Sequence, residues 1–313
     1  MGEPAVAVLL MAYGTPRRRE DVEAYYTDVR RGRPPTPELL EDLVRRYDAI
    51  GGLSPLMERT EAQAAALRAA LDARAPGAFR VELGLKHAAP FIEQTVERVV
   101  AEGARRIVGL VLAPHFSAFS VGQYLGRVRE RAAALDPAVE VLGIDEWHLE
   151  PAYLDFLAAE VAAGLAVLPA GAKVLFTAHS LPRRIVDLGD PYPGQLRATA
   201  AAVAERAGLV QWTGWATAWQ SAGRTPEPWL GPDVLDVVRT LGAGPPAEGL
   251  LVCPCGFVSD HLEILYDLDI EARGVAEQAG LPFARTRVVN DDAGVMAALA
   301  DRVVSLVTPA AVG

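Results

Sequence analysis

Short apolar runs rich in β-branched residues alternate along this chain with longer Ala-, Leu-, Arg- and Glu-rich stretches, and few folds accept that pattern. Parallel strands need a crossover to connect them, usually a helix, so strand–helix alternation points to βαβ units around a parallel sheet. In the first half the runs are Ala5 to Met11, Arg80 to Leu85, Arg106 to Ala113 and Val139 to Ile144. Helices are expected over Pro37 to Ile50, Glu61 to Ala73, Phe91 to Glu102 and Gly122 to Leu135. The second half repeats the plan with Lys173 to Ala178, Val210 to Ala216, Gly249 to Cys253 and Arg285 to Val289, and a last helix runs from Asp292 to Val307. The 313 residues suffice for two domains, at about 150 residues each. The expected architecture is α/β: two similar doubly wound, Rossmann-like lobes, each with a four-stranded parallel sheet, and a cleft between them. The lobes are expected over 1–147 and 148–290, with the helical segment 291–313 completing the first.

Thirty Lys and Arg against 40 Asp and Glu leave a formal charge of −10. That balance argues against a general nucleic-acid or anionic-lipid binder. No apolar run approaches the roughly 20 residues that span a bilayer, so no membrane association is expected. The run after Glu3 reads as a first strand rather than a signal peptide. Two cysteines, Cys253 and Cys255, are too few for a disulfide scaffold or for the four thiolates of an iron–sulfur cluster, and a reducing cytoplasm fits.

Ligands of open parallel sheets sit beyond the carboxyl ends of the strands, and those ends are polar here. The first run leads into Tyr13-Gly14-Thr15-Pro16, the second into Lys86-His87, the third into Pro114-His115-Phe116-Ser117, the fifth into His179-Ser180, and the seventh toward Asp260-His261-Leu262-Glu263. Four of the five histidines therefore fall at strand ends. One such histidine is usually structural; several at corresponding positions point to a shared cleft.

Glu263, Asp267 and Glu271 are spaced i, i+4, i+8 in a segment that reads as helix through Ile264, Leu265 and Leu268, which places three carboxylates on one face. Such a stripe is either a solvated acidic face or a binder of a hard cation that relieves the mutual repulsion. An imidazole from another strand end would suit a divalent first-row metal, and His179 with Glu263 is the favoured pair. The phosphate- and dinucleotide-binding glycine motifs are absent, as is the nucleophile elbow around Ser180. The pair Cys253 and Cys255 reads as packed thiols. Arg30, Arg31, Arg33, Arg45 and Arg46 form a basic cluster, read either as helix surface or as the seat of an anionic ligand.

Taken together, the motifs resemble the ferrochelatases, single-chain enzymes that insert ferrous iron into a porphyrin. Besides the strand-end segments, the resemblance rests on Ile50-Gly51-Gly52-Leu53-Ser54-Pro55-Leu56, Thr177-Ala178-His179-Ser180-Leu181-Pro182, Gly189-Asp190-Pro191-Tyr192-Pro193, Trp219-Gln220-Ser221 and Pro228-Trp229-Leu230-Gly231-Pro232. It implies His179 as the metal-inserting histidine, Glu263 as its partner, and Asp267 with Glu271 as an outer acidic line for the metal. The branch most similar in detail is the short bacterial one acting on coproporphyrin III, with protoporphyrin IX the second-choice substrate. That branch implies Tyr13 as axial ligand of the product iron and substrate contacts at Arg30, Arg46, Tyr47, Ser54 and Tyr124, with Lys86 and His87 near the cleft. It also implies Fe²⁺ as substrate, no prosthetic group, a monomer, and transient hand-over to a downstream haem-pathway enzyme. With only Cys253 and Cys255 present, the iron–sulfur cluster of some relatives is not expected. The competing readings are a cobalt or nickel chelatase for sirohydrochlorin and a non-catalytic haem-binding or delivery protein.

Overall fold

The computed structural model describes residues 6–210, 213–244 and 247–308. Ala5 of the expected first strand, residues 211 and 212 of the expected sixth, and the ends of segments 1–147 and 291–313 lie outside them. In chain order the elements begin β1 (Val6–Ala12), α1 (Val22–Val29), α2 (Pro37–Ala49), α3 (Leu56–Arg74), β2 (Phe79–Leu85), α4 (Ile92–Ala101), β3 (Arg106–Val111), α5 (Val121–Leu135) and β4 (Glu140–Ile144). They continue with α6 (Pro151–Leu165), β5 (Lys173–His179), α7 (Arg184–Asp187), α8 (Tyr192–Arg206), β6 (Trp215–Gln220), α9 (Val234–Ala243) and β7 (Leu250–Cys253). Last come α10 (Leu262–Leu265), a π-helical turn (Asp267–Ala272), α11 (Arg273–Gln278), β8 (Phe283–Arg285) and α12 (Ala293–Val307).

Two compact units result, one of Met1–Ala113, Ala118–Glu146 and Asn290–Gly313, the other of Pro114–Ser117 and Trp147–Val289. The first holds a parallel sheet of order β2-β1-β3-β4, the second a parallel sheet of order β6-β5-β7-β8. The expected α/β class with two four-stranded parallel sheets is thus the observed one. In each sheet the chain leaves the first strand in one direction and returns on its other side, so the order reverses at β1 in one unit and at β5 in the other. The carboxyl ends of strands at such reversals are where doubly wound folds bind ligands. Tyr13 directly follows β1 and His179 ends β5, the same topological position in each unit.

Strands covered on both faces read as continuous apolar runs; β1 is buried from Ala7 through Ala12. Helix ends follow local chemistry: Thr36 accepts from the Leu39 amide with Pro37 at the first turn, and Asp292 accepts from the Val295 amide to start α12. Helix α12 packs on α3 in the first unit, where Arg74 pairs with Asp301 and Gln63 Nε2 donates to the Asn290 carbonyl at 2.9 Å.

Two strands lie elsewhere than expected. The sixth begins at Trp215 rather than Val210, because the Gly214 amide turns back onto the Val210 carbonyl at 2.8 Å and pairing with β5 starts only at Trp215, opposite Val174. The eighth is Phe283–Arg285 rather than Arg285 to Val289: β7 offers register partners only from Leu250 to Val252, and beyond Arg285 the last backbone bond to it runs from Thr286 to the Val252 carbonyl. Among the described residues no helix is long and apolar enough to cross a membrane.

Candidate active site

In the second unit the end of β5 is fixed by three contacts. Residues alternate along the strand, so Thr177 and His179 project to one face. The Thr177 hydroxyl donates to Gln220 Oε1 at 2.8 Å, and Gln220 Nε2 donates to the Glu263 carbonyl at 2.8 Å, which ties β5 and β6 to the start of α10. Gly256 closes the arrangement: its amide donates to the Thr177 carbonyl at 2.9 Å, and a Cβ there would fall 2.3 Å from that of Ala178. Only glycine lets the loop after β7 approach this closely, and that loop carries the segment to Glu263 alongside His179. The Tyr192 hydroxyl donates to the His179 carbonyl at 3.0 Å.

His179 Nδ1 bonds the Ser180 carbonyl, which can only accept, so Nδ1 carries the proton and Nε2 the lone pair of the neutral ring. That Nε2 stands 3.6 Å from Glu263 Oε1. His261 repeats the design: its Nδ1 donates to the Ser259 carbonyl at 2.8 Å and its Nε2 stands 3.6 Å from Glu263 Oε2. One carboxylate is therefore bracketed by two imidazoles, with the Phe257 ring against both. Burial works against a charged His179, but the Glu263 carboxylate, the Ser180 carbonyl and the Asp267 charge outweigh it and raise its pKa above the ordinary value. Burial likewise works against the Glu263 carboxylate, and the two histidines overcome it to hold the pKa well below the usual range. The pair remains accessible, with side chains 34 % and 36 % exposed. In the sequence His261 reads as one of the strand-end histidines of a shared cleft, with no catalytic or metal role; its signal is the H-x-E spacing ahead of the acidic series.

The helix expected to carry Glu263, Asp267 and Glu271 is corrected. The segment is not a continuous α-helix: α10 ends at Leu265, and from Asp267 to Ala272 the chain forms a π turn in which the Glu271 amide bonds the Tyr266 carbonyl, five residues back. An α-helix turns about 100° per residue, so eight residues would swing Glu271 roughly 80° away from Glu263. The wider π turn advances less per residue and offsets that drift. Asp267 is 7 % exposed and accepts the Ser221 hydroxyl at 2.5 Å. Among the described residues no three His, Cys, Asp or Glu side chains gather closely enough to hold one ion, so His179, Glu263, Asp267 and Glu271 do not form a single coordination shell.

The expected substrate residues lie in the first unit. Tyr13 is 42 % exposed, its ring centroid 4.5 Å from that of His87, whose amide donates to the Tyr13 carbonyl at 2.9 Å. Gly14, at φ 87°, makes the turn behind it, and a side chain there would meet Ala88 at 3.0 Å. His87 Nδ1 lies 2.6 Å from Asp28 Oδ2; burial is the main reason its pKa is lowered, with Asp28 opposing. Lys86 donates to Gln123 at 2.8 Å and sits 5.1 Å from the Tyr124 ring; burial, then the charges of Arg127 and Arg31, bring its pKa down to about 8. Tyr124 and Tyr47 are buried, and Ser54 Oγ accepts from the Leu56 amide at 3.3 Å. Arg30 follows α1, with Nε donating to the Arg33 carbonyl at 3.2 Å and Cζ 5.7 Å from the Tyr26 ring. Arg46 and Arg45 both face Asp42 on α2, Arg46 at 3.5 Å.

Not every strand-end histidine faces a site. His115 is 1 % exposed, with Nε2 2.9 Å from the Thr199 hydroxyl; burial, then the neighbouring His148, push its pKa down to about 3. The expectation that it joins a shared cleft fails because its ring is enclosed in the core. Ser180 donates to the Leu230 carbonyl at 2.8 Å. Cys253 and Cys255 are free, fully buried thiols, and burial pushes that of Cys253 up to about 12.

A doubly wound α/β chain with a half-buried histidine–glutamate pair at a strand-order reversal fits metal-binding chemistry, and sequence comparison gives the family. The ferrochelatase family model matches residues 5–306, and the chain belongs to the ferrochelatase family. Among its relatives, the coproporphyrin III ferrochelatase of Halalkalibacterium halodurans is 45 % identical over 293 residues, covering 93 % of each chain. That of Geobacillus kaustophilus is 46 % identical over 295 residues, 93 % of this chain and 92 % of the relative. That of Bacillus subtilis is 42 % identical over 295 residues, 93 % of this chain and 94 % of the relative. Among solved structures, the sirohydrochlorin chelatase SirB from Bacillus subtilis subspecies spizizenii in complex with cobalt aligns with TM-score 0.56 at 12 % identity over 96 % of this chain and 95 % of that one. CbiX, described as the terminal enzyme of siroheme biosynthesis in denitrifying bacteria, aligns with TM-score 0.53 at 15 % identity over 96 % of this chain and 100 % of that one. At those identities the likeness is one of fold.

Proposed function

We propose that this enzyme inserts Fe²⁺ into coproporphyrin III, releasing iron coproporphyrin and two protons. The observation that carries the reading is the accessible His179–Glu263 pair, Nε2 to Oε1 3.6 Å, in a chain of the ferrochelatase family. A free-base porphyrin holds two inward N–H groups, so iron bonds all the ring nitrogens only after both protons leave. Neutral His179, its Nδ1–H engaged by Ser180, has the Nε2 lone pair that accepts a pyrrole proton or ligates the incoming iron. Glu263 stabilises the resulting imidazolium, and His261 on its other oxygen offers a second acceptor. Asp267 and Glu271 draw the hydrated cation toward the pair.

Coproporphyrin carries four propionates against two on protoporphyrin, and Arg30 and Arg46, with Tyr47, Ser54, Lys86, His87 and Tyr124, are the groups assigned to hold the substrate. Bound propionates offset the few kcal/mol needed to bend a planar ring. Tyr13, exposed after β1, is assigned as ligand of the product iron. The enzyme works as a cytoplasmic monomer without a prosthetic group or iron–sulfur cluster and passes its product to a downstream haem-pathway enzyme. Anaerobic Fe²⁺ insertion into coproporphyrin III and protoporphyrin IX, followed side by side by absorbance, tests this. Faster turnover of coproporphyrin is expected; no turnover of either porphyrin overturns the reading.

A further inference from the structure

Five carboxylates fall within the twelve residues from Asp260 to Glu271: Asp260, Glu263, Asp267, Asp269 and Glu271. Packed together without compensation they would repel one another and leave the segment free to choose among several arrangements. One cation sorts them. Arg285, the last residue of β8 and 14 % exposed, donates to Asp269 through both Nε and Nη2 at 2.8 Å, and the same Nη2 lies 3.6 Å from Asp260 Oδ1. Its remaining arm, Nη1, donates to the Thr286 carbonyl at 2.9 Å, which anchors the guanidinium to the sheet. Asp269 sits in the middle of the π turn and Asp260 directly precedes His261, so the fork grips the segment on both sides of Glu263. The Asp269 carbonyl is held as well, by Arg273 Nε at 3.2 Å.

We infer that Arg285 is a positioning residue for metal capture, holding the π turn and the Asp260–His261 backbone so that Glu263 keeps its place between His179 and His261. The fork does this in two ways. Its bidentate grip on Asp269 fixes the rotation of the turn that carries Asp267 and Glu271, and a planar guanidinium does so with a directionality that an ammonium lacks. It also offsets the charge of Asp269 and part of that of Asp260, leaving Glu263, Asp267 and Glu271 as the carboxylates of the segment that the fork does not grip.

The inference rests on the proposed iron insertion, and its test separates the two. Arg285→Lys keeps the charge and loses the fork; Arg285→Met combined with Asp269→Asn removes the bidentate pair as a unit and takes from Asp260 its 3.6 Å contact. Groups that orient metal ligands are typically worth 10- to 100-fold in metal affinity or activity. Both variants are expected to raise the KM for Fe²⁺ about 10-fold or more, with the porphyrin KM within about twofold of wild type. Imidazole nitrogen NMR, recorded without metal, is expected to shift at His261 and His179 and stay unchanged at His115. Folded variants with wild-type metal kinetics and unmoved His261 and His179 signals overturn the inference. If the wild-type enzyme inserts no iron the proposed function fails, and the NMR shifts alone then decide the role of Arg285.

Discussion

Ser221 Oγ donates to Asp267 Oδ2 at 2.5 Å from a backbone held at φ 58°, a conformation ordinarily left to glycine. The contact joins the residue after β6 to the start of the π turn, so a strained backbone is kept in place by the carboxylate it serves.

Two substitutions at Ser221 separate strain from hydrogen bonding. A left-handed conformation costs a residue with a Cβ about 1–2 kcal/mol, and a buried acceptor that loses its donor costs about 1–3 kcal/mol. Ser221→Ala keeps the strain and loses the bond; Ser221→Gly loses both. The glycine variant is expected to be more stable than the alanine variant by about 1 kcal/mol in urea unfolding. Equal midpoints for the two would show that the backbone is unstrained.

Acid stability follows from His115. Its folded pKa near 3 lies below the ordinary 6.5, so between those values the unfolded chain binds the proton that the folded one refuses. Stability is therefore full above pH 6.5 and falls as the pH drops toward 3, by up to about 1.4 kcal/mol per unit. From pH 6.5 to 5 the histidine accounts for a loss of about 2 kcal/mol. Denaturant unfolding at the two pH values checks this: His115→Asn is expected to lose about 2 kcal/mol less than wild type over that interval. An equal loss in both proteins would show that His115 is not the group responsible.

How much of this was readable from the residues differs from element to element. β1 through β4, β5 and β7 were legible to within two residues, because strands covered on both faces are apolar runs and say so directly. β6 and β8 were misplaced because their limits are set by the partner strand: Trp215 pairs because Val174 is opposite it, and pairing stops at Arg285 because β7 runs out of partners. The acidic series was visible as a spacing, but a π turn leaves no mark on a 3.6-residue period. His115 and His179 look alike in one dimension; Thr199 and His148 enclose the first, whereas Gly256 brings the second against Glu263.

The basic cluster predicts substrate discrimination. Arg30 spends one donor on the Arg33 carbonyl and rests on the Tyr26 ring, so charge reversal there disturbs little of the fold. Charge-assisted hydrogen bonds are worth about 1.5–3 kcal/mol each. Arg30→Glu is expected to raise the KM for coproporphyrin III about 10-fold or more and that for protoporphyrin IX much less. Equal effects on the two porphyrins, measured in parallel, would remove Arg30 from propionate binding.

The most direct test of the account is to remove the His179 imidazole and follow binding and chemistry separately. His179→Ala leaves the first unit's substrate residues intact, so coproporphyrin III binding, read by fluorescence quenching, is expected to stay within about threefold of wild type. Anaerobic Fe²⁺ insertion into the bound porphyrin is expected to fall by about 10²- to 10⁴-fold, the range for losing a positioned proton acceptor. A variant that binds porphyrin and inserts iron at the wild-type rate would contradict the account.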